Sequence, residues 1–353
     1  MTIDDLMTYQ DVINHLCKEK RQKHLLLGNG FSMAYSSSMF SYNALSTFIT
    51  NTDDDLLRKL FVSLNTKNFE VIMQQLDVFI EIAKVFEVEN TIIIRISQTS
   101  DNLKNNLIEA VKELHPEHTF TIPEEKSKAC FSFLEKYLNH DGYVFSTNYD
   151  LLLYWTLIRN GSKNAIDGFG REMENQSDEF DPNQEPEYSK TLYWGIHKDR
   201  QNIFYLHGAL PLFDTGIEII KETYSENDNI YLLANIKNRM INKEYPIFVT
   251  AGNAIEKMKH ITHNKYLTFC YDKLSSIEGS LITFGFCFGD NDTHIIDAIN
   301  KAANQPKNRR LWSIYIGVYS HHDLEYIKKI ENKFKCKVNI YNAKTANIWN
   351  FDE

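Results

Sequence analysis

The chain has 353 residues, 43% of them apolar, enough to build the core of one elaborated α/β domain. Its 38 Lys and Arg against 47 Asp and Glu give a formal charge of -9 without a basic run, which speaks against direct nucleic-acid binding or an anionic membrane surface. Five scattered cysteines (Cys17, Cys130, Cys270, Cys287, Cys336) without a C-x-x-C pair exclude a disulfide framework and a zinc ribbon, while short apolar runs and an acidic start, Met1 to Asp5, point to a soluble, cytoplasmic protein and no membrane.

In chain order, the first predicted strand is 24–27, running into Gly28, Asn29, Gly30, Phe31 and Ser32 and then a helix. Glycines let a backbone approach a phosphate, and the amides of a new helix attract anions. As a dinucleotide fingerprint the segment is incomplete, because G-x-G-x-x-G requires Gly or Ala where Met33 stands. A tight turn without a ligand is the alternative. From 43 to 118 apolar residues recur at helical spacing, as in Phe69, Ile72, Met73, Leu76, Phe79 and Ile80, and predict a helical insertion after the first strand and helix.

A second strand, 143–146, ends in Thr147, Asn148, Tyr149 and Asp150. Asn148 offers a donor and an acceptor, suited to a ribose hydroxyl or a water, and Asp150 is placed to cap the next helix. Turn formation alone is the bland account of Asn148. Residues 161–200 turn polar and predict a long loop insertion. Strand 202–206 then ends at His207 and Gly208. A histidine there is a candidate general base, although a single histidine is commonly structural.

The remaining strands are 246–249, 281–284, 312–317 and 338–341, alternating with helical patterns at 253–274, 293–303 and 321–334. Strand 281–284 ends in Gly285, Phe286, Cys287, Phe288, Gly289 and Asp290. Asp290 and Asp292 invite a metal reading, but Asp292 sits where a helix cap belongs, and no metal is expected. Cys287, between phenylalanines, reads as a buried small apolar residue, and the pairs His260/His263 and His321/His322 as surface or packing residues. Continuously apolar strands alternating with helices predict an α/β fold: a Rossmann-like open parallel sheet with helices on both faces, in a single domain over 1–353. In such a sheet the carboxyl ends of the strands line one crevice, so the four strand-end segments are expected to converge on one ligand.

Taken in order, these segments resemble the SIR2-like (sirtuin-related) family, in its bacterial branch. Gly28, Gly30 and Ser32 are similar to its G-x-G-x-S nucleotide loop, Asn148 and Asp150 to its T-x-N-Y-D segment, His207 to its His-Gly pair, and Gly285, Phe286 and Asp290 to its G-Y-S-x-x-D loop. The stretch from Pro246 through Glu256, Lys257 and Met258 to Leu274 further resembles a bacterial subfamily known as DUF4917. The four-cysteine zinc module of sirtuin deacetylases is absent. So is the proline-aspartate-phenylalanine-arginine segment after the first loop, replaced by Ser38, Met39, Phe40, Ser41 and Tyr42.

The resemblance implies NAD as substrate, with Asn148 and His207 catalytic and Gly28, Asn29, Gly30, Phe31, Ser32, Thr147, Asp150, Gly285, Phe286 and Asp290 in the binding site. It also implies an NAD-depleting effector of anti-phage defence, held in check by homo-oligomerisation or a defence-system partner protein. A catalytically silent NAD- or ADP-ribose-binding subunit and an ADP-ribosyl or deacyl transferase remain the competing expectations.

Overall fold

Among the described residues, twelve short strands, β1 (Met7–Thr8), β2 (Lys23–Leu27), β3 (Val144–Ser146), β4 (Phe169–Gly170), β5 (Leu192–Trp194), β6 (Ile203–Tyr205), β7 (Gly208–Asp214), β8 (Ile219–Lys221), β9 (Pro246–Phe248), β10 (Gly279–Phe284), β11 (Leu311–Val318) and β12 (Lys337–Asn342), divide between two sheets. The computed structural model describes residues 2–37, 55–64, 69–114, 118–172, 191–223, 231–242, 244–249, 254–306 and 310–350. The larger sheet has seven strands, all parallel, in the order β1-β12-β11-β10-β2-β3-β6, flanked by helices. Every residue of β2, β3 and β6 is buried, which is why each carries an apolar run, such as 25–27 in β2, rather than an alternation.

Leaving aside the edge strand β1, the order is that of a doubly wound sheet. From β2 the chain steps through β3 to β6 on one side, then returns to place β10, β11 and β12 on the other. The direction of winding therefore reverses between β2 and β10, the place where such sheets open a ligand crevice.

The sequence-based plan needs two corrections. Strand 246–249 does not join the parallel sheet: β9 pairs antiparallel with β7 in a second, five-stranded sheet of order β4-β5-β8-β7-β9. That sheet also recruits β4 and β5 from 161–200, so the polar stretch is not wholly a loop, although 173–190 lies outside the described residues. The strand β7 was hidden by Pro211, which falls where the β7–β9 register shifts between Gly208 and Phe213. Proline is tolerated at such irregularities because no ladder amide is required there.

Helices Asp55–Ser63, Phe69–Val85 and Asn90–Leu114 occupy the described part of 43–118. Helix Thr293–Ala303 has the bounds its apolar spacing predicts, whereas 253–274 divides into Ala254–His263 and Lys265–Leu274. The break is Asn264, whose extended backbone lets its side chain accept from the amides of Tyr266 and Leu267. Among the described residues no helix is long and apolar enough to cross a membrane.

Candidate functional site

Register brings the four strand-end segments together. Phe284 pairs with Leu27, Leu27 with Ser146, and Ser146 with Tyr205. Two residues beyond this row stand Phe286, Asn29, Asn148 and His207, at the carboxyl ends of four adjacent strands. With strands about 4.8 Å apart, the row spans about 14 Å, the scale of an extended nucleotide ligand.

At the reversal point the fit is backbone against backbone. Gly28 N–H donates to Phe284 O at 3.0 Å and Gly30 N–H to Gly285 O at 2.9 Å. A Cβ on Gly28 would lie 2.5 Å from Gly285 O, and one on Gly30 2.5 Å from Gly285 Cα. Gly285 itself has φ +67°, in the left-handed region. These glycines are required by the packing of two loops. The Gly30 amide, expected to face a diphosphate, is engaged by Gly285. Phe31 is buried against Trp349, whose indole N–H donates to Phe31 O at 2.9 Å.

Beside this seam lies an enclosed polar network. Ser32 has no exposed surface, and its hydroxyl donates to Asp150 Oδ2 while accepting from Asn148 Nδ2 at 2.8 Å. Because the hydroxyl proton goes to the carboxylate, Asn148 must turn its NH2 toward Ser32. That leaves the Asn148 carbonyl oxygen as the group able to meet a ligand. The other Asp150 oxygen accepts from Leu152 N at 2.9 Å; helix Leu152–Arg159 starts one residue later than expected, with Leu151 at its N-cap, so Asp150 meets the first helical amide from just outside the cap position. Burial pushes the Asp150 carboxyl above its ordinary range, and the Ser32 and Leu152 hydrogen bonds oppose that rise. Thr147 is tied back to Leu27 O through both its amide and its hydroxyl, at 3.0 and 3.2 Å.

At the other end of the row, Gly208 turns the chain with φ +80°, and a Cβ there would lie 1.8 Å from Ile247 O. His207 O accepts from Val249 N at 2.9 Å, fixing the histidine between the two sheets. Its Nε2 lies 2.9 Å from Nε2 of His294, and the two rings stack at 28°. Both are buried; burial holds His207 well below the ordinary 6.5 and brings His294 down to about 4, with Asp292 opposing the latter shift. Both imidazoles are therefore neutral at pH 7.

Asp292 does not cap its helix. Its side chain makes no cap bond and pairs with Lys257 Nζ at 2.6 Å instead. One ligand atom each from His207, Asp292 and His294 lies within 4.8 Å of the others, a donor set of the kind zinc takes. The Lys257 ammonium already neutralises the only anionic member, which argues against a resident cation. His294 and Lys257 were missed in the sequence. The local signal for His294 was the Asp-x-His spacing just past a strand end.

The fourth segment contributes less. Phe286 and Phe288 are buried and pack edge to face, with Tyr326 OH donating to Phe288 O at 3.0 Å. Cys287, expected buried, is exposed, because the chain turns at Phe288 with φ +52°. Partial desolvation pushes its thiol up rather than activating it. Asp290 stands apart from the polar row, 89% exposed and 4.0 Å from Lys333. An open concavity of about 390 Å³, lined in part by Tyr193, Trp194, Ile196 and Lys265, lies on the antiparallel sheet rather than at the strand ends.

Fold and row together define an α/β protein with a doubly wound parallel sheet and a row of buried polar residues at strand ends next to its winding reversal. The chain belongs to the family described as domain of unknown function DUF4917, which it matches over residues 25–349. No curated protein matches it.

Proposed function

We propose that this chain is a SIR2-like NAD hydrolase, cleaving the bond between nicotinamide and ribose to give nicotinamide and ADP-ribose. The observation that carries the reading is the register-matched row: Asn148 and His207 each stand two residues beyond paired positions of adjacent strands, beside the winding reversal. Nicotinamide leaves a cationic linkage as a neutral molecule, so the enzyme has no leaving group to protonate. It has to stabilise an oxocarbenium-like ribose and direct a water. The Asn148 carbonyl orients that water or a ribose hydroxyl, with Ser32 and Asp150 holding the amide in place, and neutral His207 accepts a proton. The loop from Gly28 to Phe31, whose Gly28, Gly30 and Phe31 amides are taken by backbone oxygens, borders the diphosphate side without donating those amides to it, and Gly285 and Phe286 form the wall next to it.

An NAD-depleting role in anti-phage defence requires restraint of the resting enzyme. An apolar stripe on the helical insertion, Val78, Phe79, Ile82 and Val85 on helix Phe69–Val85 with Phe86 in the turn after it, supports control by oligomerisation or by a partner protein, because all five are exposed. The test is nicotinamide release from NAD by the purified full chain, alone and at concentrations that drive self-association. Turnover that falls at least about 100-fold in both Asn148→Ala and His207→Ala supports the assignment. NAD binding without product in every state would leave the silent binding subunit instead.

A further inference from the structure

We propose that Cys17 and Lys23 are a modification site, joined under hydrogen peroxide by a covalent sulfenamide bond between Sγ and Nζ. Lys23 opens strand β2, whereas Asn148 and His207 stand beyond the far ends of the same parallel strands, so the site is independent of the activity proposed above.

The buried partner is the unusual one. Lys23 is 4% exposed, and a lysine that deep is ordinarily matched by a carboxylate, because taking an ammonium out of water is costly. Among the described residues Lys23 has no carboxylate in ion-pair reach. Its ammonium donates instead to Cys17 Sγ, at 3.4 Å. A thiol is a weak acceptor and does little to offset the buried charge.

The backbone holds the pair together. Cys17 lies in the last turn of helix Tyr9–Lys18 and is exposed, open to a small oxidant. Past it Glu19 N–H donates to His15 O at 3.0 Å and Arg21 N–H to Leu16 O at 3.1 Å, while Lys20 takes φ +50°, the left-handed conformation that closes helix ends. This closed turn delivers Lys23 to the sulfur at a separation within the range of reacting atoms.

The chemistry takes two steps and one peroxide. Cys17 sulfur attacks peroxide: the O–O bond breaks, an S–O bond forms, and the thiol proton leaves with the displaced hydroxide as water. Sulfur is oxidised by two electrons and peroxide is reduced. The Lys23 ammonium gives one proton to solvent, and its nitrogen then attacks the sulfenic sulfur. The S–N bond forms, the S–O bond breaks, and hydroxide leaves with a second amine proton as water. A thiol reductant reverses the product by attacking sulfur and releasing the amine. Cys287 is the internal contrast: it is exposed too, but Asp292 and Asp323 are the charges about it, and no amine is placed to trap its sulfenic acid.

The full chain is treated with hydrogen peroxide, cleaved after Glu19, which lies between the two residues, and read by mass spectrometry. The wild type is expected to give the Cys17 and Lys23 peptides joined and about 2 Da lighter than their sum, for the two hydrogens lost, and separated again by dithiothreitol. Lys23→Gln removes the nucleophile, so Cys17 is expected to stop at the sulfenic acid and be captured by dimedone, as Cys287 is in both proteins. Wild-type Cys17 passing to sulfenic or sulfinic acid without joined peptides overturns the proposal. So does a bridge that retains an oxygen, or one that forms equally in Lys23→Gln through another lysine.

Discussion

The two sides of the strand-end crevice are built on opposite principles. Between β2 and β10, Gly28, Gly30 and Gly285 interlock through backbone hydrogen bonds and contacts too close for any side chain. Packing explains every one of them. Past the ends of β3 and β6 the chain buries Asn148, Asp150 and His207, brings buried Ser32 and His294 against them from the helices after β2 and β10, and leaves one histidine nitrogen without a partner. Packing gives no reason to place so many polar groups there, since burying them is unfavourable unless each is satisfied. The lesson is that the glycine motif marks where the winding reverses, while the polar row beside it is the part that packing alone does not explain.

That contrast breaks most visibly at the seam. Gly30→Ala forces a Cβ to within 2.5 Å of Gly285 Cα, and is expected to lower stability by about 3 kcal/mol through backbone displacement. Thermal unfolding of the variant checks it; an unchanged midpoint means the loops are not interlocked.

The polar side answers to pH instead. His294 titrates near 6.5 when unfolded and at about 4 when folded, so its contribution is fully present above pH 6.5 and is lost as the pH falls toward 4. At pH 5 protonation of the unfolded chain at this one position is expected to remove about 2 kcal/mol. His207 and His24 shift in the same direction, and His24, with Nε2 against Glu278 O and Nδ1 accepting from Tyr143 N, does so in a purely structural place. His294→Gln is therefore expected to lose less stability than wild type between pH 7 and pH 5, measured by denaturant unfolding at both values. Equal losses contradict the buried neutral pair.

Asp150 has the opposite sign. Its carboxyl is raised by burial, so it favours the fold most below its ordinary 3.8, and that contribution declines as the pH rises through the raised value. Asp150→Asn is expected to flatten this part of the stability profile. The smallest effect belongs to Trp349→Phe, which removes the hydrogen bond to Phe31 O while keeping the ring contact and is expected to cost about 1 kcal/mol.

How much of this was legible depends on the distance over which each feature is decided. The parallel strands were readable because burial on both faces leaves an apolar run in one short window, as in β2 and β10. The antiparallel sheet was not, because β4 has two residues, β5 lies in polar surroundings and β7 contains Pro211. The strand-end residues Asn148 and His207 were visible from local punctuation. His294 and Lys257 join them only through tertiary packing, and Asp292 was misassigned because its position suits a cap equally well.

The most direct test of the account is a crystal structure of the His207→Ala variant soaked with NAD. It is predicted to show the nicotinamide ribose against residues 148 and 207 and the diphosphate over the loop from Gly28 to Phe31. NAD seated in the concavity by Tyr193 and Trp194, or no NAD at millimolar concentration, would contradict it.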